Sequence, residues 1–203
     1  MNWTLTGYAT ALFSSWYFIE ELNLLLDAGD GVVSHLLQKS HKIKHVFVTH
    51  PDRDHLSGLL ALRQLNARAD GYPRIYYPRD SGSFPALRDF SARFEPDRPA
   101  TLWQPLDHGS TVKIRPDAIV RAIRNEHIEA APDVIKSLSY EVQLLRRKLK
   151  PELQGQSPEQ LKALRHAHGN DFITTEQRVS LLSFSGDTPV TPASVERWQH
   201  SHT

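Results

Sequence analysis

Four side chains that can bind a metal ion lie within six residues of the sequence, at His50, Asp52, Asp54 and His55. Neutral imidazole and carboxylate are common ligands of zinc, manganese and magnesium in proteins. Ions of this kind activate water and stabilise charge on a phosphoryl or carbonyl group. The segment therefore predicts metal-dependent chemistry. The alternative is a solvated polar turn that happens to contain two histidines.

The residues around this segment predict elements that would hold it in place. The β-branched and apolar run HVFVT at residues 45–49 predicts a buried strand, and leucines at helical spacing predict a helix over residues 56–65. Loops at the ends of strands are where α/β folds commonly place their sites, because side chains converge there on a rigid scaffold. The four donors are therefore expected at such a strand end.

The rest of the chain alternates in the same way. Strands are predicted at residues 22–26, 74–77, 102–106, 111–114, 119–125, 139–145 and 179–184. Helices are predicted at residues 32–37, 84–94, 159–167 and 192–199, and the charged stretch 146–150 favours a helix. No repeat or flexible linker divides the sequence. We therefore expect one α/β domain over residues 1–203.

The composition excludes several kinds of site. The chain has 203 residues, 11 histidines and no cysteine, so disulfides, thiolate zinc fingers, iron–sulfur clusters and a cysteine nucleophile are excluded. With 24 basic and 23 acidic residues, the net charge of +1 does not by itself indicate a nucleic-acid-binding protein. No leader peptide or membrane-length apolar stretch is recognisable, so we expect a soluble, cytoplasmic protein with no membrane partner.

The metal-binding motif resembles the signature of the metallo-β-lactamase-fold hydrolases, His-x-His-x-Asp-His followed by a small residue, glycine and leucine. Here residues 50–59 read HPDRDHLSGL, and LLLDAGDG at residues 24–31 and SGDT at residues 185–188 are also similar to that superfamily. Within it the sequence is most similar to ribonuclease Z, which trims the 3′ end of precursor tRNA. That similarity rests on His127, SYE at 139–141, RKLKPEL at 147–153 and FSGDT at 184–188. The resemblance implies a four-layer αββα sandwich with a shortened C-terminal part.

The resemblance also implies a site for two divalent ions. The first ion would use His50, Asp52, His127 and Asp187, and the second would use Asp54, His55 and Asp187 as a shared bridge. In this family two ions clamp a phosphodiester and activate a water that attacks phosphorus as hydroxide. Asp54 would orient that water or accept its proton, which makes it the candidate catalytic residue.

Two departures from the family pattern affect the metal site. Asp52 replaces the second histidine of the signature, which adds a harder oxygen donor and favours manganese or magnesium relative to zinc. The family's final histidine, in a strand ending His-Glu-Ala-Thr, would fall beyond Thr203. His200 and His202 lie near the required place, so the second site is either incomplete or completed by one of them, or the chain is shortened.

The resemblance implies a metal-dependent phosphodiester hydrolase, with endonucleolytic processing of tRNA 3′ ends as the first hypothesis and precursor tRNA as the partner. One alternative is a phosphodiesterase that acts on a cyclic nucleotide or small phosphodiester. Another is a non-catalytic metal-binding partner module, and a homodimer is compatible with each. A basic run, Arg146 to Lys148 and Lys150, with Lys162 and Arg165 on the next helix, is either a phosphate-binding surface or a solvated helix face.

Overall fold

The computed structural model describes residues 2–66, 73–94 and 102–189. Its first sheet has six strands in chain order, and β3 to β6 are parallel while β1, β2 and β3 pair antiparallel. These strands are β1 (Leu5–Thr10), β2 (Ser14–Ile19), β3 (Leu24–Leu26), β4 (His45–Phe47), β5 (Arg74–Pro78) and β6 (Trp103–Leu106). The short central strands are apolar on both faces because both faces are covered.

The second sheet is antiparallel, in the order β10-β9-β8-β7. Its strands are β7 (Thr111–Arg115), β8 (Ala118–Arg124), β9 (Leu138–Leu149) and β10 (Thr174–Phe184).

The helices are α1 (Val32–Leu36), α2 (Arg53–Leu56), α3 (Leu59–Leu65), α4 (Ser83–Ala92), α5 (Pro158–His168) and α6 (Asn170–Ile173). Short 3-10 turns lie at Glu20–Leu22, Leu37–Lys42 and Pro151–Leu153.

Two hydrophobic clusters define the layers. One lies between the two sheets, where Phe47 and Tyr76 of the first sheet meet Tyr140 and Val142 of the second. The other lies on the opposite face of the first sheet, where Trp16, Phe18 and Leu25 pack with side chains of α1, α3 and α4. Alternate residues of β2 to β5 in the first sheet enter the two clusters, as the period-two geometry of a strand requires. The predicted α/β sandwich of the metallo-β-lactamase type is confirmed.

Sequence patterns and structure differ in several places, among them an unpredicted α6 and a start of β10 at Thr174 instead of residue 179. The predicted helix at residues 56–65 is two helices, α2 and α3, separated at Ser57 and Gly58. The hairpin of β1 and β2 was not predicted. The helical prediction for residues 146–150 is wrong, because β9 continues to Leu149 and pairs with β10 throughout. Cross-strand pairing overrides the helix preference of the charged side chains there.

The hairpin of β9 and β10 extends beyond the sandwich. The pairing of β8 with β9 covers Ala118–Arg124, opposite Leu144 to Leu138, whereas β10 pairs with β9 as far as Leu149. α5 begins with a capping box at Ser157 and has no buried residue. We call residues 145–178 the arm.

Some predictions fall outside the described residues. These are the helix at residues 192–199 and the candidate ligands His200 and His202. No helix in the described ranges is both long enough and apolar enough to cross a membrane.

The contact between the sheets makes a stability prediction at Phe47. Its ring is fully buried and its centroid lies 4.3 Å from that of Tyr76 and 5.1 Å from that of Tyr140. We expect Phe47→Ala to lower the free energy of unfolding by about 3–5 kcal/mol, because it leaves a cavity between the sheets. Urea unfolding followed by circular dichroism measures this change.

Phe90→Ala is the matched control, since the Phe90 side chain on α4 is 49% exposed. It should change the same free energy by less than about 0.5 kcal/mol. Equal losses in the two variants would contradict the assignment of Phe47 to the core.

Candidate metal centre

Three chain segments bring the predicted donors to one edge of the sandwich. His50 to His55 follow β4, His127 follows β8, and Asp187 follows β10. β4 belongs to the first sheet and the other two strands to the second. The backbone of the two sheets is joined at this edge, where the Leu138 N–H donates to the Thr49 carbonyl at 2.8 Å. Donors that are far apart in sequence therefore share one site.

The first group of donors contains His50, His127 and Asp187, whose ligand atoms lie within 4.8 Å of one another. Asp52 is outside that set of three. Its Oδ2 lies 3.5 Å from His50 Nε2 and 3.7 Å from His127 Nε2. An ion held at 2.0–2.2 Å by four tetrahedral ligands separates them by about 3.3–3.6 Å. The Asp52 carboxylate therefore lies at a suitable distance from both histidines.

The second group contains Asp54, His55 and Asp187, again with ligand atoms within 4.8 Å of one another. His55 Nε2 lies 3.5 Å from Asp54 Oδ2 and 3.4 Å from Asp187 Oδ2. Asp187 belongs to both groups, and its side chain is 54% exposed. A carboxylate that belongs to two donor groups can bridge a pair of neighbouring cations.

The buried imidazoles fit a metal ion by a further criterion. Within the described part of the chain, the Nε2 atoms of His50 and His55 are buried and have no hydrogen-bond partner. Burying a polar nitrogen without a partner is costly. Both atoms point into the donor groups, so a cation at this place would use their lone pairs. The donor set of imidazole and carboxylate fits zinc, manganese or magnesium.

The other ring nitrogens fix the orientation of these imidazoles. His55 Nδ1–H donates to Asp27 Oδ2 at 2.7 Å, and His50 Nδ1–H donates to the Thr49 hydroxyl at 2.9 Å. That hydroxyl in turn donates to the Asp27 carboxylate at 2.9–3.0 Å. With Nδ1–H as the donor in both rings, Nε2 is the atom that carries the lone pair when the ring is neutral, which is where a metal ligand needs it.

Asp27 is fully buried and has a left-handed backbone, with φ of 57°. The Thr49 N–H donates to its Oδ1 at 2.7 Å, which adds a backbone donor to the Thr49 hydroxyl and His55. The sequence indicated a turn at this residue but assigned no role to it. The available signal was a carboxylate directly after an apolar strand and two residues before Gly29.

The two buried histidines differ in charge. Burial, together with the neighbouring His55 and His127, lowers the pKa of His50 to about 4, so His50 is neutral at pH 7. Burial opposes the charged form of His55 as well. The hydrogen bond and charge of Asp27, with Asp187 and Asp54, nevertheless raise the pKa of His55 to about 9. This concentration of negative charge favours a cation at the same place.

Two glycines allow the loops beneath the donors to pack closely. A Cβ atom on Gly29 would lie 2.2 Å from the Asp54 carbonyl oxygen, and one on Gly58 would lie 2.3 Å from the Gly29 carbonyl oxygen. The Ala28 N–H donates to the His55 carbonyl and the Gly58 N–H donates to the Ala28 carbonyl, both at 2.8 Å. The loop after β3 thus supports the backbone of the motif directly.

All six predicted donors are therefore brought to one edge, with Asp52 and Asp187 the most exposed. Their role as ligands stays a prediction. The second group has three donors among the described residues. Asn125 also lies at this edge, with a side chain that contacts the segments of both His127 and Asp187. No sequence pattern indicated a role for it.

Comparison with known proteins gives the family. The sequence matches the family described as "Beta-lactamase superfamily domain" over residues 22–149, more than half of the chain. A search of curated proteins gives no match.

Three similar solved structures are the following. Zn²⁺-bound PqqB from Methylobacterium extorquens has 17% identity and a TM-score of 0.44, with 68% of this chain and 48% of that chain covered. Human tRNase Z, short form, has 20% identity and a TM-score of 0.49, with 70% and 64% covered. The metallo-beta-lactamase fold protein YhfI from Bacillus subtilis has 17% identity and a TM-score of 0.48, with 70% and 58% covered. The match thus spans 48–64% of the length of these proteins.

On the match over residues 22–149, the chain belongs to the beta-lactamase superfamily.

Proposed function

We propose that this protein is a metal-dependent phosphodiester hydrolase that binds two divalent ions. The observation that carries the proposal is the pair of donor groups that share Asp187, each with a buried imidazole whose Nε2 has no partner among the described residues. Sites with two neighbouring ions are typical of enzymes that cleave phosphate esters. The first ion would be held by His50, Asp52, His127 and Asp187, and the second by Asp54, His55 and Asp187.

Ions bound in these groups would supply positive charge for the phosphodiester and lower the pKa of a water molecule. The protein's own groups do the rest. Asp27 and Thr49 keep the two imidazoles in the tautomer that presents Nε2. Asp54, whose side chain is 12% exposed, faces the shared site and would accept a proton from the attacking water.

For the substrate, we propose the 3′ end of a precursor tRNA, as the similarity of motifs to ribonuclease Z suggests. Exposed positive charge on the arm favours a polyanionic substrate. Arg146 and Lys148 are exposed, lie on the same face of β9, and form no ion pair with a described residue. Leu138, at the start of β9, lies beside the site, and Arg146 is eight residues further along the same strand. At the rise of a β-strand, the backbones of these two residues are about 26 Å apart. Only a substrate much larger than a dinucleotide could contact both places.

A small phosphodiester or cyclic nucleotide is the alternative substrate, and it needs nothing beyond the donor groups. A non-catalytic metal-binding module is the alternative to an enzyme. Metal stoichiometry, hydrolysis of a small ester and cleavage of RNA separate the three.

The first prediction from the proposed function concerns metal binding. Protein stripped with a chelator should bind two equivalents of Mn²⁺ or Zn²⁺ in isothermal titration calorimetry and gain thermal stability, because the ions bind the folded state. Asp187→Ala should weaken both binding events, since Asp187 belongs to both groups.

Asp89→Ala is the control, because Asp89 is an exposed carboxylate on α4 paired with Arg88. It should bind as the unchanged protein does. One equivalent would indicate an incomplete second site, and no binding of either metal would remove both enzyme hypotheses.

The second prediction concerns Asp54. Asp54→Ala should reduce kcat for bis(p-nitrophenyl) phosphate by about 10²–10⁴-fold, the contribution typical of a positioned general base. Release of p-nitrophenolate at saturating Mn²⁺ measures it, with Asp89→Ala again as control. Normal turnover in Asp54→Ala would show that the catalytic residue is misplaced. Two bound ions without turnover of either the ester or RNA would favour the binding module.

The third prediction concerns the arm. Replacing Arg146 and Lys148 by alanine should weaken precursor tRNA binding and reduce the slope of log Kd against log salt concentration by about 0.7–0.9 for each phosphate that the side chains no longer neutralise. Filter binding at several salt concentrations measures the slope. The control replaces Lys39 and Lys42, which are both paired with Glu20. Equal slopes in the two double variants, or hydrolysis of the small ester alone, would favour the small phosphodiester.

A further inference from the structure

Asn125 occupies a central position between two of the three segments that carry the donors. It follows the last residue of β8 and is 6% exposed. Its Oδ1 accepts from the His127 N–H at 3.2 Å. Its Nδ2 donates to the Ser185 carbonyl at 3.0 Å and to the Ser139 hydroxyl at 3.2 Å. One side chain therefore connects the backbone beside His127 with the backbone two residues before Asp187.

The backbone ladder does not make this connection. β8 and β10 are separated by β9 in the sheet, so their backbones lie about 9–10 Å apart. The pairing of β8 with β9 ends at Arg124, and that of β10 with β9 ends at Phe184. Beyond those residues the segment after β8 keeps one backbone bond, from the Asn125 N–H to the Ser137 carbonyl, and the Asn125 amide spans the gap to the Ser185 backbone.

The chemistry of the amide suits this place. The His127 N–H can only donate and the Ser185 carbonyl can only accept, so the orientation of the amide is fixed by its partners. The Ser137 hydroxyl donates to the Asn125 carbonyl at 3.3 Å and the Asn125 N–H donates to the Ser137 carbonyl at 3.4 Å, which also holds the Asn125 backbone. The side-chain amide is held by three hydrogen bonds of its own.

We infer that Asn125 is a positioning residue that sets the separation of His127 and Asp187 and thereby the affinity of the site for divalent ions. The inference rests on the proposed function, since it assumes that both residues are ligands. Asp187 follows Gly186, whose φ is +63°, and its own side chain is more than half exposed. Its place is therefore determined by the preceding backbone, whose Ser185 carbonyl accepts from Asn125 Nδ2 at 3.0 Å and from the Ser139 hydroxyl at 3.0 Å.

The experiment measures Zn²⁺ binding by isothermal titration calorimetry on the unchanged chain, Asn125→Ala and Asn125→Asp. Both variants lose the donor to Ser185, while Asn125→Asp keeps the acceptor for the His127 N–H. We expect both to raise the Kd for Zn²⁺ about 10–100-fold, which is typical when a residue that orients a ligand is removed. The added charge of Asn125→Asp would by itself attract a cation, so weaker binding there reports the missing donor.

Asn66→Ala is the matched control. Asn66 is another buried asparagine, 1% exposed, whose side chain donates to the Leu62 carbonyl at the end of α3. It should lower the melting temperature without changing the Kd. The visible spectrum of the Co²⁺-loaded protein adds a readout of ligand geometry, which should change in the Asn125 variants and not in Asn66→Ala.

Three results would overturn the inference. An unchanged Kd and Co²⁺ spectrum in both Asn125 variants would show that the residue is only structural. An unchanged Kd in Asn125→Asp alone would show that the contact with Ser185 is unimportant. If the unchanged chain binds neither Zn²⁺ nor Mn²⁺, the proposed function fails together with the inference.

Discussion

The hydrogen bonds of the buried Asp27 carboxylate hold together the part of the molecule on which the candidate site depends. A carboxylate without solvent needs several donors to remain charged, and Asp27 obtains them from the Thr49 backbone, the Thr49 hydroxyl and His55. The same bonds join the end of β3 to the end of β4 and fix the tautomers of two imidazoles. These hydrogen bonds offset the cost of burying the charge, and they also order the donor groups.

The sandwich supplies the second condition, which is that donors from both sheets meet at one edge. Tyr140 of β9 is buried between the sheets, and its hydroxyl donates to the Val48 carbonyl at 2.7 Å. Together with the bond from Leu138 to Thr49, this contact ties the second sheet to the strand end that precedes the motif. His127 and Asp187 are held against His50 and His55 because the sheets cannot slide past each other.

The elements that the sequence predicted well are those with a strong local pattern. The apolar run before His50 and the amphipathic stretches of α4 and α5 carry their periodicity within a few residues. The β1 and β2 hairpin was missed because small and polar residues interrupt its alternation. Residues 146–150 were predicted as helix because their long charged side chains are good helix formers, whereas their pairing with β10 depends on residues nearly thirty positions away.

The sequence alone determined the donor types, the spacing of His50 to His55 and the resemblance that pointed to His127 and Asp187, because chemistry and local spacing are written in consecutive residues. Tertiary structure decided that Asp27 and Thr49 orient the imidazoles, and that Asn125 connects two strand ends. These relations depend on distances between segments that are tens of residues apart. Only the packing of the two sheets fixes such distances, since no local pattern records which strand ends will meet.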